Sequence, residues 1–266
     1  MKLYYRKTGD GPALVILHGL YGSSDNWLTI ARILSDRFTV YLPDLRNHGQ
    51  SPHDNEHTYE SMSNDLDEMV KDEGMKKFIL AGHSMGGKVA MLYSLKWPEK
   101  LNSLIVLDIS PFGNSDHENS FYKQHSAIME AVLSADLEGL RTRSEVENLL
   151  SVKIPSEKIR SFMMKNLARR DHNHFSWKLN IRALYENLDN IMAGIVGKDE
   201  FHEQVTGFPV RFVKGENSDY LREDDMPDIN RIFPAADLEI ISNAGHWIHS
   251  ERPDAVIRIL RDQLKS

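Results

Sequence analysis

Phe78-Ile79-Leu80-Ala81-Gly82-His83-Ser84-Met85-Gly86-Gly87-Lys88-Val89 is the stretch on which the fold of this chain turns. Its first four residues form a short apolar run of strand length. Val89, Leu92 and Tyr93 then fall at i, i+3 and i+4, the spacing of one helix face. A strand therefore runs into a helix with only a G-x-S-x-G turn between them. Ser84 must stand on a sharp, strained bend to present its hydroxyl, and side chains two residues to either side would collide there. The helix that follows aims free N–H groups and the positive end of its dipole at a developing oxyanion. Ser84 reads as a nucleophile. A dinucleotide site would need G-x-G-x-x-G and a P-loop G-x-x-x-x-G-K-[ST]; the segment is neither.

The same alternation extends along the first hundred residues. Ala13-Leu14-Val15-Ile16-Leu17, Phe38-Thr39-Val40-Tyr41-Leu42 and Leu104-Ile105-Val106-Leu107 read as further strands buried on both faces. Met62, Leu66, Met69 and Val70 make a helical stripe between two of them. Alternation of this kind implies right-handed crossovers and a mostly parallel sheet with helices on both faces. After Pro111 the pattern changes. From about Glu118 to Ile195 the chain reads as helices with almost no strand signal. The stripes are Phe121/Ile128/Met129/Val132, Ile159/Met163/Leu167 and Ile181/Leu184/Tyr185/Leu188/Met192. Strand character returns at Pro209–Val213 and Leu238–Ile241, and a last helix carries Val256, Leu260 and Leu264. The expected organisation is an α/β core of residues 1–112 and 205–266, interrupted by a helical insertion over 113–204.

Composition narrows the function. With 41% hydrophobic and 27% charged residues the 266-residue chain is an ordinary globular protein, long enough for one α/β domain with an insertion. Its formal net charge is −7 and its Lys and Arg are scattered, which argues against a nucleic-acid partner. The absence of cysteine rules out a Cys nucleophile, disulfides and thiolate metal sites. Met1 to Lys7 is too polar for a signal peptide, and no apolar run reaches membrane length. A cytoplasmic protein with no membrane association, a monomer or homodimer, is the expectation.

Three further segments complete a candidate site. His18-Gly19-Leu20-Tyr21-Gly22 ends an early strand, where a second oxyanion donor is needed, so the backbone N–H groups of Leu20 and Met85 are assigned to the oxyanion hole. Asn243-Ala244-Gly245-His246-Trp247 follows the last strand, so His246 can lean over the sheet edge toward Ser84 as its base; His249 lacks that context. The acid has two candidates. Asp108 ends the run Leu104–Leu107, and Asp219 lies one residue beyond the Gly215-Glu216-Asn217-Ser218 segment, in the loop after the strand Pro209–Val213. Asp44 and Arg46 read as holders of loop geometry. His172-x-His174 with Asp171 superficially suggests a metal, but such a loop is more often solvated and none is expected. Phe121, Met129, Met163, Met164 and Trp177 are candidates to line an acyl pocket.

His18–Ser23, the Asp44-Leu45-Arg46-Asn47-His48-Gly49-Gln50-Ser51 segment, Gly82–Lys88 and Gly245–Trp247 together resemble the α/β-hydrolases, and among them the small bacterial YbfF-type esterases. The resemblance covers nearly the whole core and is weak in the insertion. It implies an eight-stranded sheet, a helical cap inserted after strand six, and hydrolysis of small-molecule acyl esters or thioesters without a cofactor. It also implies that the acid comes from the strand ending at Asp108. Serine at position 84 sets the chain apart from relatives with an Asp nucleophile. Fold alone does not fix chemistry. A carbon–carbon bond hydrolase, a lyase or a peroxidase on the same triad remains open, as does a ligand receptor on this fold.

Overall fold

The apolar runs become the centre of one sheet. In the computed structural model, which describes residues 1–113, 116–169, 174–196 and 204–263, the strands are β1 (Tyr5–Thr8), β2 (Ala13–Leu17), β3 (Thr39–Pro43), β4 (Phe78–His83), β5 (Leu101–Leu107), β8 (Val210–Gly215) and β9 (Ala236–Ile241), with a separate hairpin of β6 (Leu167–Arg169) and β7 (Phe175–Trp177). The sheet order is β1-β3-β2-β4-β5-β8-β9. Only β1 runs antiparallel.

Three expectations are corrected here. Among the described residues the sheet has seven strands, not eight. The insertion follows β5, the fifth strand of the sheet in chain order. The insertion is also not wholly helical, because Leu167, expected on a helix face, lies in the β6–β7 hairpin.

Side chains of successive strand residues point to opposite faces, and helices cover both. Leu14, Ile16, Ile79 and Ile105 pack on α1 (Leu28–Leu34), α10 (Ile248–Glu251) and α11 (Pro253–Asp262). Val15, Leu17, Leu80 and Val106 pack on α2 (Tyr59–Asp72), α3 (Met85–Lys96) and α9 (Met226–Ile232). Each fully buried Leu, Ile or Val contributes roughly 1.5–3 kcal/mol, so this two-sided core dominates stability. Leu264, expected on the last helix, lies outside the described residues. No described helix is long and apolar enough to cross a membrane.

Between β5 and β8 run α4 (Ser120–Leu133), α5 (Arg143–Ser151), α6 (Glu157–Met164), α7 (Ile181–Glu186) and α8 (Leu188–Met192). Polar fastenings seat this segment on the core. Tyr59 Oη donates to the Ile191 carbonyl (2.6 Å) and Lys88 Nζ to that of Ala193 (2.6 Å). Asn166 Nδ2 donates to the Tyr21 carbonyl (2.8 Å) and Asn187 Nδ2 to that of Asn55 (2.8 Å). The Asn180 amide donates to the Asn47 carbonyl (3.0 Å).

Candidate active site

Ser84 sits between β4 and α3 at φ +54° and ψ −123°, a conformation a side chain rarely adopts. The flanking glycines make that bend possible. A Cβ on Gly82 would lie 2.2 Å from the Gly86 carbonyl oxygen, and one on Gly86 2.5 Å from that of His18. The Ser84 amide donates to the Leu107 carbonyl (3.0 Å), which ties the turn to β5.

His246 reaches Ser84 from the loop after β9. Its Nε2 lies 3.0 Å from Ser84 Oγ, and its Nδ1 lies 2.7 Å from Asp108 Oδ2. Asp108 stands one residue past β5 at φ +55° and is 0% exposed. Its Oδ1 accepts from the Gly215 amide (2.8 Å), and its Oδ2 also accepts from Ser218 Oγ. A buried carboxylate is tolerable only with its oxygens this well occupied. Asp219 points elsewhere: it is exposed and lines a separate polar cavity with Ser110, Asn119 and Arg222.

The loop after β2 closes the other side. A Cβ on Gly19 would come within 3.1 Å of Ser84 Cβ, so the chain passes close by the serine. Among the described residues, no other group takes up the amides of Leu20 and Met85. The Asp44–Ser51 loop holds this turn in place. His18 Nε2 accepts from the Leu45 amide (2.9 Å), His48 Nε2 from that of Tyr21 (3.3 Å), and Asp44 Oδ1 from that of Ser24 (2.6 Å). Arg46 forms a buried pair with Asp65 (2.7 Å) and so anchors the loop on α2. Burial pushes His18 and His48 below the ordinary histidine range, which keeps both neutral and able to accept.

Four residues in the site were given no role by the sequence. Ser218 contacts Asp108. His83 donates from Nε2 to the His246 carbonyl (2.8 Å) and steadies that loop. The Tyr220 ring stacks on His246 (centroids 3.7 Å apart, 18° between planes). His125, on α4, lies between Tyr21 and Tyr220. His249 stacks on Trp27 (4.6 Å), and burial lowers its pKa to about 3.

A cavity of about 240 Å³ opens beside Ser84 and His246. The insertion contributes Gln124, His125, Ile128, Ser156, Ile159 and Phe162 to its wall. The pocket candidates Phe121, Met129, Met163, Met164 and Trp177 do not line it. Met129 and Met163 are fully buried among the insertion's own helices, while the neighbouring positions Ile128 and Phe162 face the cavity. Helical spacing locates a buried stripe, not which edge of it meets a ligand. Of the suspected metal loop, Asp171 and His172 lie outside the described residues, and no described group of three His, Asp or Glu converges as a metal-ligand set.

Residues 12–253 match the family described as the alpha/beta hydrolase fold. The sn-1-specific diacylglycerol lipase of Danio rerio is 38% identical over 247 residues, which span 92% of this chain and 76% of that protein. Esterase YbfF of Escherichia coli is 30% identical over 251 residues, 94% of this chain and 92% of that one. Among solved structures, a marine microorganism esterase superposes with a TM-score of 0.93 at 43% identity, covering 98% of both chains.

Proposed function

This chain belongs to the α/β-hydrolase family, as an esterase of the YbfF type, and on that premise we propose that it cleaves carboxylic esters or acyl thioesters through an acyl-enzyme on Ser84. The observation that carries the reading is the unbroken path from Ser84 Oγ through His246 (3.0 Å and 2.7 Å) to the buried Asp108.

Ser84 Oγ attacks the acyl carbon as its proton passes to His246 Nε2. Asp108 holds Nδ1–H, fixes the tautomer and stabilises the imidazolium that forms. The carbonyl oxygen takes the negative charge beside the amides of Leu20 and Met85. Collapse expels the alcohol or thiol, which leaves with the proton from His246. A water then attacks the acyl group and gives its proton to His246, which returns it to Ser84. Each step is assigned to Ser84, His246, Asp108, two backbone amides and one water.

Residues 113–204 act as a cap on a core of 1–112 and 205–266. The cap's share of the wall, with Ile128, Ile159 and Phe162 beside Gln124, His125 and Ser156, leaves room beside Ser84 for a small acyl or alcohol group. Fluorophosphonate labelling, followed by turnover of p-nitrophenyl esters and acyl-CoAs, tests the proposal. Labelling and turnover should both vanish in Ser84→Ala while its melting curve is retained. Undiminished ester hydrolysis by the folded variant would overturn the reading.

A further inference from the structure

His125 belongs to the insertion, yet it lines both the cavity beside Ser84 and a smaller one behind it. Its Nδ1 lies 3.1 Å from Tyr21 Oη and its Nε2 lies 3.4 Å from Tyr220 Oη. Both ring nitrogens are thus engaged by tyrosines of the core, and each tyrosine adjoins one half of the catalytic apparatus.

Tyr21 directly follows Leu20 and sits at φ +62°, a conformation a bulky residue keeps only where its surroundings over-determine it. Here they do. The Tyr21 amide donates to His48, its carbonyl accepts from Asn166, and its hydroxyl meets His125. Tyr220 lies two residues beyond Ser218, and its ring covers one face of His246. Burial and the neighbouring His246 lower the His125 pKa to about 4. The ring is therefore neutral, with one N–H and one lone pair, and a hydroxyl complements either.

Resting on the triad reading above, we propose that His125 is a positioning residue that sets the two catalytic loops against each other. Through Tyr21 Oη it holds the turn that carries the Leu20 amide, and through Tyr220 Oη it holds the ring on which His246 packs. The cap thereby acts on the rate as well as on which substrate enters.

The test is steady-state kinetics on p-nitrophenyl acetate, whose small acyl group needs few contacts with the cap. The variants are His125→Ala, Tyr21→Phe, Tyr220→Phe and the two doubles that pair each Phe change with His125→Ala. Each single change should lower kcat by about tenfold, as expected for an ordinary hydrogen bond whose loss is felt in the transition state, with KM nearly unchanged. Each double should be no slower than His125→Ala alone, because the arm it removes is already broken. The Phe variants keep both rings, so they report even where His125→Ala folds poorly. The proposal is overturned by a kcat within twofold of wild type in all three singles, by fully additive losses, or by a rise in KM at unchanged kcat. Retained turnover in Ser84→Ala would instead sink the triad reading, a separately visible failure.

Discussion

Replacing Asp108 by Asn changes the chemistry of the buried acid with almost no change of shape, and the structure says which way the amide must sit. Asp108 Oδ1 receives the Gly215 amide at 2.8 Å, while Oδ2 faces His246 Nδ1 at 2.7 Å and Ser218 Oγ. An Asn has one acceptor oxygen. The Gly215 N–H can only donate, so that oxygen goes to Gly215 and the NH2 takes the place facing His246. A donor there requires a lone pair on Nδ1, which moves the imidazole proton to Nε2. That N–H then points at Ser84 Oγ, 3.0 Å away, where a base is needed. The Ser218 hydroxyl can rotate to accept from the NH2, so nothing restores the productive tautomer. Such a tautomer change costs about 10⁴ in kcat, or about 5.5 kcal/mol of barrier at roughly 1.36 kcal/mol per tenfold. The assay is kcat on a p-nitrophenyl ester, with circular dichroism and a melt to show that the variant folds. Asp219→Asn, altering an exposed side chain on another cavity, serves as the control and should stay near wild type. A kcat for Asp108→Asn within tenfold of wild type, with the large loss found in Asp219→Asn, would refute the reasoning and place the acid after β8.

Three other outcomes follow from the packing and the buried bases. Gly82→Ala should cost about 3 kcal/mol or more, because its Cβ would meet the Gly86 carbonyl at 2.2 Å between two locked backbones; an unchanged melting temperature would contradict this. His57 and His249 are buried neutral with pKa values lowered to about 3, so below the ordinary histidine value of 6.5 the unfolded chain binds protons that the native state refuses. Stability should therefore fall as pH drops from about 6.5 toward 5, before carboxylates titrate, at up to roughly 1.4 kcal/mol per pH unit for each group; urea midpoints constant across that window would count against it. Lys88 is buried and its pKa is lowered from 10.5 to about 7, so between those values the unfolded chain holds a proton that the native state lacks, and stability rises with pH. Lys88→Met should remove that rise between pH 7 and 10, and parallel melting profiles for variant and wild type would exclude the effect.

What could be read from the sequence was what the chain repeats locally. β2 to β5 are each built around an apolar run because parallel strands are buried on both faces, and β4 announces the nucleophile turn by running straight into it. β1, Tyr5-Arg6-Lys7-Thr8, hides because an antiparallel edge strand is half solvated and its composition looks like a polar terminus. The hairpin β6–β7 has three residues per strand, too few to show a period of two against helical surroundings. Ser84, His246 and the glycines stand in recognisable turns. His125 and Tyr220 do not: they meet across 95 residues of chain and owe their place to packing alone. The count of eight strands came from the resemblance, and this chain departs from it.

The fastenings between insertion and core at Ile191, Ala193, Tyr21, Asn55 and Asn47 share one trait, which is that the acceptor in each is a peptide carbonyl. A carbonyl stays where the backbone puts it whatever side chain its residue bears. The cavity-facing Gln124, Ile128, Ser156, Ile159 and Phe162 take part in none of these attachments. On the insertion, the cavity wall and these five attachments thus use different residues, while His125, also of that wall, meets the core at Tyr21 and Tyr220. A library varied at those five positions can explore new substrates while the seam stays closed, and the insertion can be exchanged between relatives as a cassette if Asn166, Asn180 and Asn187 travel with it.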